Sequence, residues 1–207
     1  MRIIKVSKKN IKAAVTEAVE IIRNHGVVVC PTDTIYGFVA SVASKKAVEK
    51  IFRIKVRPSS KVFPVFVSDV AMAKEWAQID SNQEKFLKKY WPGKLTAVLK
   101  RKGRKKLYGL DKTTIGIRVS ANKIIKQLCE IVDSPLVQTS VNISGEPPIN
   151  APQEIINQFA NSKYQPDLII DAGPIKKGYQ STLVDLTAKE PKILRQGTVI
   201  PLWPKKH

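Results

Sequence analysis

Apolar positions along the chain switch repeatedly between helical and strand spacing, and this pattern predicts the secondary structure. Ile11, Val15 and Ile22 share one face of a predicted helix. Gly26 follows the last apolar position and predicts the end of that helix. The next run, Val27-Val28-Val29-Cys30, is short and wholly apolar, which is typical of a buried strand.

The remaining helices are predicted from capping residues and prolines. Ser44 caps a helix that ends before Pro58, and Ser81 with Glu84 forms a capping-box pattern for a helix that runs to about Tyr90. Further helices are predicted after Asp69, over 122–132 and over 152–159. Strands are predicted over 1–6, 62–67, 95–99, 115–119, 136–139, 168–170, 182–186 and 192–194.

These elements interleave without a repeating period, and no linker divides them. The sequence therefore predicts an α/β fold in which one twisted, mixed sheet is flanked by helices. A chain of 207 residues fits one domain, so a single domain over 1–207 is expected.

Composition excludes two classes of protein. A hydrophobic fraction of 43% supports a sizeable core and argues against intrinsic disorder. No apolar stretch approaches the roughly 20 residues that span a bilayer, and the N-terminus lacks the features of a signal peptide. Cys30 and Cys129 lie in apolar segments without pairing spacing, which favours reduced thiols. A cytoplasmic protein with no membrane partner is expected.

The net charge of +19 favours a polyanionic partner. Basic residues are densest over 100–106. This run is either a solvated loop after a strand or a surface that contacts RNA, and the sequence alone leaves both open. Charge therefore indicates RNA only weakly.

The common catalytic and phosphate-binding motifs are missing. The chain has no G-x-x-x-x-G-K-[ST], G-x-G-x-x-G or G-x-S-x-G motif. Its two histidines, His25 and His207, argue against a histidine-based triad or a zinc site. The remaining side chains (Lys, Arg, Ser, Thr, Asn and Asp) suit the binding of phosphates better than proton transfer.

Two polar segments in the first half of the chain are candidates for ligand contacts. Thr32-Asp33-Thr34 follows the strand 27–30, and a ligand contact is favoured there over a turn that binds only its own backbone. Lys55-x-Arg57-Pro58, with Lys61 downstream, is either a solvated helix end or a phosphate site. Its proline fixes the turn that presents a guanidinium suited to bidentate contacts.

Two more candidates lie in the second half. Hydroxyl and amide side chains are concentrated over 138–144, directly after a predicted buried strand, and a nucleotide site is favoured there over a satisfied turn. Arg118 lies in an apolar strand and needs an anionic partner. Either an internal carboxylate or a substrate carboxylate fits. Ser181 and Arg195 complete this group.

Taken in order, these segments resemble the YrdC/TsaC-like family of threonylcarbamoyl-adenylate synthases, in its short form. The resemblance covers nearly the whole chain. It rests on Pro31-Thr32-Asp33-Thr34-Ile35-Tyr36-Gly37, Lys55-x-Arg57-Pro58, Trp91-Pro92-Gly93, Thr114-Ile115-Gly116-Ile117-Arg118, Ser140-x-Asn142-x-Ser144-Gly145, Ser181-Thr182-x-Val184-Asp185 and Arg195-Gln196-Gly197.

The resemblance implies a fold, a reaction and partners. The fold would be YrdC-like, with a positively charged concave face. The reaction would convert L-threonine, bicarbonate and ATP into threonylcarbamoyl-AMP and pyrophosphate. Transfer proteins would then move the threonylcarbamoyl group to tRNA, and contact with tRNA or another RNA is expected. The alternatives are a non-catalytic RNA-binding or ribosome-maturation factor and a paralogue that adenylates another carbamate.

The resemblance also implies roles for individual residues. Thr34, Arg118 and Ser181 would bind threonine, with Arg118 on its carboxylate. Lys55 and Arg57 would be catalytic, with Lys55 against the phosphates. The ATP site would comprise Arg57, Lys61, Thr114, Ser140, Asn142 and Arg195.

Physical chemistry is compatible with these roles. Attack of a carbamate on the α-phosphate requires two anions to be aligned and their charge neutralised, which positioning and fixed cations supply. Mg²⁺ would be held mainly by phosphates and water, and no protein metal site is predicted. The chain departs from the family pattern at Val62-Phe63 and at Pro148.

Overall fold

The structure is a computed structural model that describes residues 1–103, 106–176 and 178–203. Arg104 and Lys105 of the basic run and the histidine at 207 lie outside the described residues. Among the described helices, none combines the length and apolar character that crossing a bilayer requires.

The described residues form α-helices and β-strands that interleave along the chain, as the sequence predicts. The helices are α1 (Ile11–Arg23), α2 (Lys45–Ile54), α3 (Val70–Trp76), α4 (Ser81–Tyr90), α5 (Lys123–Val132) and α6 (Pro152–Phe159). The strands are β1 (Arg2–Lys5), β2 (Val28–Cys30), β3 (Gly37–Val39), β4 (Val65–Val67), β5 (Leu95–Lys100), β6 (Thr114–Val119), β7 (Leu136–Val137), β8 (Thr139–Ser140), β9 (Leu168–Asp171), β10 (Thr182–Asp185) and β11 (Lys192–Arg195).

The strands form two mixed sheets. The first has the order β1-β9-β2-β3-β8, with β1, β9 and β2 parallel and the other pairs antiparallel. The second has the order β11-β10-β5-β6-β4-β7, in which β10–β5 and β6–β4 are the parallel pairs. The α/β class and the mixed pairing are confirmed, whereas the expectation of one sheet is wrong.

The division into two sheets arises in the segment 136–140, which the sequence predicts as part of one strand. Leu136 and Val137 pair with β4 in the second sheet, but Thr139 pairs with Phe38 of β3 in the first. Gln138 lies between them, and its backbone N–H donates to Pro64 O at 2.8 Å. The chain thus crosses between the sheets within five residues, and apolar content cannot reveal such a change of partner. One hydrophobic core is continuous beneath both sheets.

The structure differs from the sequence analysis at two local positions. It contains the strand β3, which the sequence does not predict because the residues of β3 continue the polar turn that follows β2. The capping box of α4 lies one residue earlier than predicted. Asp80, not Ser81, is the N-cap, and its side chain accepts from the backbone N–H groups of Asn82 and Gln83 while Gln83 bonds back to Asp80 N. Both Asp and Ser are good N-caps, so the pattern alone does not separate them.

Substitution of Asp80 tests the corrected cap. Asp80→Ala removes the acceptor of two N-terminal N–H groups, so it should lower the free energy of unfolding by about 1 kcal/mol. Ser81→Ala is the matched control and should change it by less than about 0.5 kcal/mol. Urea unfolding followed by circular dichroism measures both values. A larger loss for Ser81→Ala would contradict the assignment.

Candidate active site

A cavity of about 510 Å³ opens where the two sheets meet. It is lined by residues from all four candidate segments. Nine predicted site residues line it: Thr34, Lys55, Arg57, Lys61, Arg118, Ser140, Asn142, Ser181 and Arg195.

Thr114 is the predicted ATP-site residue that does not line this cavity. It begins β6, whereas Arg118 lies four residues later in the same strand. Since a strand rises about 3.3 Å per residue, the Cα atoms of the two residues are about 13 Å apart. The Thr114 hydroxyl instead contacts Asp111 Oδ1 at 3.2 Å. Its assignment to the ATP site stays a prediction that the lining of this cavity does not test.

Sheet register brings the polar segments together. Gly37 pairs with Ser140 across β3 and β8, which places the Thr32–Thr34 turn beside the turn after β8. In the second sheet, β5 lies between β10 and β6, so the start of β10 lies near the end of β6 that carries Arg118. The amino-terminal ends of some strands and the carboxyl-terminal ends of others therefore meet at the cavity.

Arg118 lies between the two sheets and is almost wholly buried, with 1% of its side chain exposed. Nε donates to Gly93 O at 2.9 Å, and Nη1 donates to Thr34 Oγ1 at 2.9 Å. Nη2 lies 2.8 Å from Asp33 Oδ1. The structure thus contains the internal carboxylate that was the alternative to a substrate carboxylate. A guanidinium carries five N–H donors, so these three contacts do not exhaust it.

Asp33 is the main residue whose role the sequence analysis missed. Its carboxylate also accepts a short hydrogen bond from Ser120 Oγ, which fixes its orientation. Asp33 follows β2 in the first sheet and Arg118 belongs to β6 in the second, so their ion pair joins the sheets. The signal was present: an aspartate in a turn between buried strands and an arginine in an apolar strand each require a partner.

The Thr32 hydroxyl is occupied by its own turn, which was the alternative to a ligand contact. Thr32 Oγ1 accepts from the backbone N–H groups of Thr34 and Ile35 at 3.0 and 3.2 Å. It lies 2.7 Å from Ile35 O, to which it donates, and 2.9 Å from Thr34 Oγ1. Thr32 therefore positions Thr34, whose hydroxyl faces Arg118.

Lys55 and Asn142 form a fully bonded unit at one wall of the cavity. Lys55 Nζ donates to Ser140 O, Asn142 O and Asn142 Oδ1 at 2.7, 3.0 and 2.7 Å. The Asn142 amide also accepts from Ser140 Oγ and donates to Ile143 O and Glu146 O. All three N–H donors of Lys55 and all four bonding positions of the Asn142 amide are occupied. The two side chains thus shape the turn after β8.

Arg57 is presented by the turn after α2 and supported by the residues that depart from the family pattern. Its Nη2 donates to Val62 O at 3.1 Å, and its guanidinium lies 5.1 Å from the centre of the Phe63 ring. The Val62-Phe63 departure therefore provides both an acceptor and an aromatic surface for Arg57. Pro148, the other departure, is not among the residues that line the cavity.

Ser181 and Arg195 form the opposite wall. Arg195 Nη2 donates to Ser181 O at 3.0 Å, and Ser181 Oγ lies 2.8 Å from Thr96 Oγ1. Thr96 is a second residue that the sequence analysis missed. It lies within a β-rich apolar run and carries no motif signal.

The cavity has a strong excess of positive charge. Among the described residues, the cavity is lined by five cations and one carboxylate, Glu146, while Asp33 pairs with Arg118 from behind the lining. The cations are Lys55, Arg57, Lys61, Arg118 and Arg195. This arrangement confirms the positively charged concave face.

Several of these cations are held in unfavourable surroundings. Burial lowers the pKa of Arg57. Burial also lowers the pKa of Arg118, because its effect outweighs that of the neighbouring Asp33 carboxylate, which raises the pKa. Burial and then the neighbouring charge of Arg118 lower the pKa of Arg195. Burial and then the charge of Arg57 lower the pKa of Lys55 to about 7, although its three oxygen acceptors favour the charged form. An anion in the cavity would relieve this repulsion.

Polar atoms without hydrogen-bond partners add to the evidence for a ligand site. Within the described residues, Asp33 Oδ2, Arg57 Nε, Gln138 Oε1 and Ser144 Oγ are buried and unpaired in or beside the cavity. Leaving such groups unpaired costs free energy, so their concentration at one place is typical of a binding site. No group of three His, Cys, Asp or Glu side chains suited to a metal occurs among the residues described.

The fold and the cavity define an α/β protein with a polar site for anionic ligands, and comparison with known proteins identifies its family. The model of the Sua5/YciO/YrdC family, described as "Telomere recombination", matches residues 20–197. The chain belongs to this family.

Two relatives illustrate the range of the family. The chain is 33% identical to the threonylcarbamoyl-AMP synthase of Pyrococcus abyssi over 85% of its own length, but it spans only 52% of that protein. It is 32% identical to the uncharacterized protein YciO of Escherichia coli over 88% of both chains. The chain thus spans about half of one relative and most of the other.

Solved structures agree with these matches. The crystal structure of P. abyssi Sua5 complexed with L-threonine superposes with a TM-score of 0.84 at 29% identity, covering 95% of this chain and 58% of that one. E. coli YciO gives a TM-score of 0.82 at 30% identity, covering 95% of both chains.

The ion pair between the sheets yields a prediction about stability. Asp33→Asn leaves the Arg118 charge buried without a carboxylate, so it should lower the free energy of unfolding by about 3 kcal/mol. Adding Arg118→Met should cost less than the sum of the single changes, with a coupling of about 1–3 kcal/mol. Urea unfolding of the four proteins measures the cycle. The exposed pair Lys45–Glu49, 3.6 Å apart, is the control and should show coupling of about 0.5 kcal/mol or less. Additive losses at Asp33 and Arg118 would contradict the proposed link.

The lowered pKa of Lys55 yields a prediction about pH. Because its pKa falls from 10.5 to about 7 on folding, the unfolded chain binds more protons than the folded protein between these values. Its contribution to the free energy of unfolding should therefore rise as pH increases through this window. Urea unfolding from pH 6.5 to 9.5 should show the wild type gaining stability relative to Lys55→Met. Parallel curves would place the pKa of Lys55 near its ordinary value.

Proposed function

We propose that this protein is a threonylcarbamoyl-AMP synthase that uses L-threonine, bicarbonate and ATP. The observation that carries the proposal is that, in the part of the chain that the structure describes, five cations and one carboxylate line the same cavity. Membership of a family that includes the P. abyssi synthase supports it. The chain spans 52% of that relative, so the activity is assigned to this chain as a hypothesis.

The threonine subsite is proposed at the inner end of the cavity. Thr34, Arg118 and Ser181 are all buried there, and the Arg118 guanidinium keeps N–H donors beyond its contacts with Thr34, Gly93 and Asp33. A guanidinium with free donors suits a carboxylate. The hydroxyls of Thr34 and Ser181 supply short-range polar contacts for the rest of the amino acid.

The ATP subsite is proposed along the outer part of the cavity. Arg57, Lys61 and Arg195 provide positive charge, and Ser140 and Asn142 lie in the turn that faces them. Because the N–H donors of Lys55 are occupied within that turn, we assign it a catalytic role through its charge and through the position of the turn. Arg57 is the proposed direct phosphate contact, since its Nε has no hydrogen-bond partner among the residues that the structure describes.

The proposed reaction requires no protein nucleophile. The threonine amine and bicarbonate form a carbamate with loss of water. A carbamate oxygen then bonds to the α-phosphorus of ATP, and the bond between that phosphorus and the bridging oxygen breaks to release pyrophosphate. The cations hold the two anions together and stabilise the charge that develops on the phosphates. Mg²⁺ would enter with ATP and be held mainly by phosphate oxygens and water. Among the described lining residues, Glu146 carries the carboxylate that would supply a protein ligand.

Partners and location are part of the proposal. Because the product is a reactive mixed anhydride, transfer proteins would carry its threonylcarbamoyl group to tRNA, and the net charge of +19 supports contact with RNA. A cytoplasmic location is proposed, supported by the unpaired, buried thiols of Cys30 and Cys129.

A second candidate is a paralogue that adenylates another carbamate. The chain matches the uncharacterized protein YciO over 88% of both chains but covers only 52% of the P. abyssi synthase, so family membership alone does not fix the amino acid. Incubation with ATP, Mg²⁺, bicarbonate and each of the twenty amino acids separates the two, because the synthase should release pyrophosphate fastest with threonine. Release that does not depend on threonine would exclude the synthase. The absence of release with every amino acid would favour a non-catalytic RNA-binding role.

Substitution of Arg57 tests its proposed contact with phosphate. Arg57→Ala should reduce threonine-dependent pyrophosphate release at least about 100-fold, because it removes a fixed charge from the developing transition state. Arg2→Ala is the control, since Arg2 is 71% exposed and pairs with Glu17 away from the cavity. Its rate should be unchanged, and neither variant should shift the melting temperature by more than about 3 °C. A large loss of stability in Arg57→Ala with normal activity would show that Arg57 is structural.

A further inference from the structure

A second cavity, of about 490 Å³, lies at the amino-terminal end of the parallel strands of the first sheet. It is lined by one face of α2 and by the segment 162–167, which leads into β9. Asp167 immediately precedes β9 in the parallel group β1-β9-β2, so this cavity lies at the amino ends of those strands. The proposed active site follows the carboxyl end of β2. The two cavities share none of the lining residues that the structure describes.

The second cavity is basic along one side. Lys46, Lys50 and Arg53 are spaced by four and three residues on α2, which places them in a row on the same helix face. Lys163 faces them from the other side of the cavity. Lys50 Nζ pairs with Asp167 Oδ1 at 2.6 Å. Within the described residues, Lys46, Arg53 and Lys163 have no carboxylate partner.

The carboxylates in this cavity are already engaged. Asp167 Oδ2 accepts from the backbone N–H of Val27 at 2.8 Å while Oδ1 pairs with Lys50. Glu49 lies 3.6 Å from Lys45. Within the described ranges, the uncompensated positive charge therefore resides on Lys46, Arg53 and Lys163.

An aromatic ring lies among these cations. The Arg53 guanidinium is 5.4 Å from the centre of the Tyr164 ring, and Lys163 Nζ is 5.7 Å from it. Tyr164 is half-buried and packs against the hydrophobic core, which holds the ring in place. An aromatic ring beside an arginine and lysines is the combination that binds single-stranded nucleic acid, because bases stack on rings and phosphates pair with cations.

We infer that this second cavity binds a segment of single-stranded RNA, with a base against Tyr164 and phosphates on Lys46, Arg53 and Lys163. The inference deepens the proposed function, because it rests on RNA being a partner and names the surface that contacts it. It favours this cavity over the basic run 100–106 as the principal contact. An anionic membrane is a poorer fit, since the aromatic group is recessed beside charged side chains.

The basic run provides a matched control. Lys106 Nζ lies 5.6 Å from the centre of the Tyr108 ring, which is the same kind of contact at a different surface. Binding of a fluorescein-labelled twelve-nucleotide oligouridine is measured by anisotropy at several salt concentrations. Lys46→Ala with Lys163→Ala should weaken binding about tenfold and reduce the salt slope by about 1.4, as expected for two phosphate contacts on a single strand. Lys106→Ala should change each quantity by no more than half as much.

Tyrosine variants separate stacking from charge. Tyr164→Leu should weaken RNA binding at least about fivefold with an unchanged salt slope, whereas Tyr164→Phe and Tyr108→Leu should retain wild-type affinity. Polyphosphate has no bases, so its affinity should not change in Tyr164→Leu. Photo-cross-linking of 4-thiouridine RNA to the wild type should label the segment 162–167, which tests the site even if Tyr164→Leu unfolds.

Three results would overturn the inference. The first is an RNA affinity of the Lys46→Ala/Lys163→Ala variant equal to that of the wild type. The second is cross-linking confined to the basic run. The third is a loss of affinity for anionic vesicles in Tyr164→Leu as large as its loss of affinity for RNA. Threonine-dependent pyrophosphate release without RNA is measured on the same variants and should be unchanged. If the wild type releases no pyrophosphate but RNA binding depends on Tyr164, the proposed synthase activity fails and the RNA site stands.

Discussion

The structure depends on cations that are buried where its two sheets meet. Arg118 of the second sheet pairs with Asp33 of the first, and Lys55 is bound by three oxygens of the turn after β8. Burying a charge is unfavourable unless it is paired and hydrogen-bonded, so these contacts specify how the sheets are placed relative to each other. The same placement brings the cavity walls together. Fold and site therefore share one set of interactions.

This sharing explains the character of the cavity. The buried residues Thr32 and Asn142, which support the walls, are satisfied by the protein. Among the described residues, Asp33, Arg57 and Ser144 each keep a polar atom without a hydrogen-bond partner. A site of this kind binds and aligns anions without offering a nucleophile. Such an arrangement suits a reaction between two anionic substrates, where most of the barrier is mutual repulsion and misalignment.

The sequence predicts the elements better than their partners. Helical spacing and buried runs locate α1, α5 and β2 closely, because these signals are local. The ion pair between Asp33 and Arg118 joins residues 85 positions apart, and only the need of each charge for a partner indicated it. The assignment of Thr114 to the ATP site stays a prediction, because a motif gives order along the chain and Thr114 begins the six-residue strand whose later residue Arg118 lines the cavity.

The passage of residues 136–140 from one sheet to the other restricts which changes of chain length the fold can accept. Leu136 and Val137 are wholly buried in one sheet, and Ser140 faces the cavity from the other. Side chains alternate in direction along an extended chain, so adding or deleting one residue here would reverse the direction of every side chain that follows. An insertion or deletion should therefore be tolerated in the connecting loops but not within this short crossing.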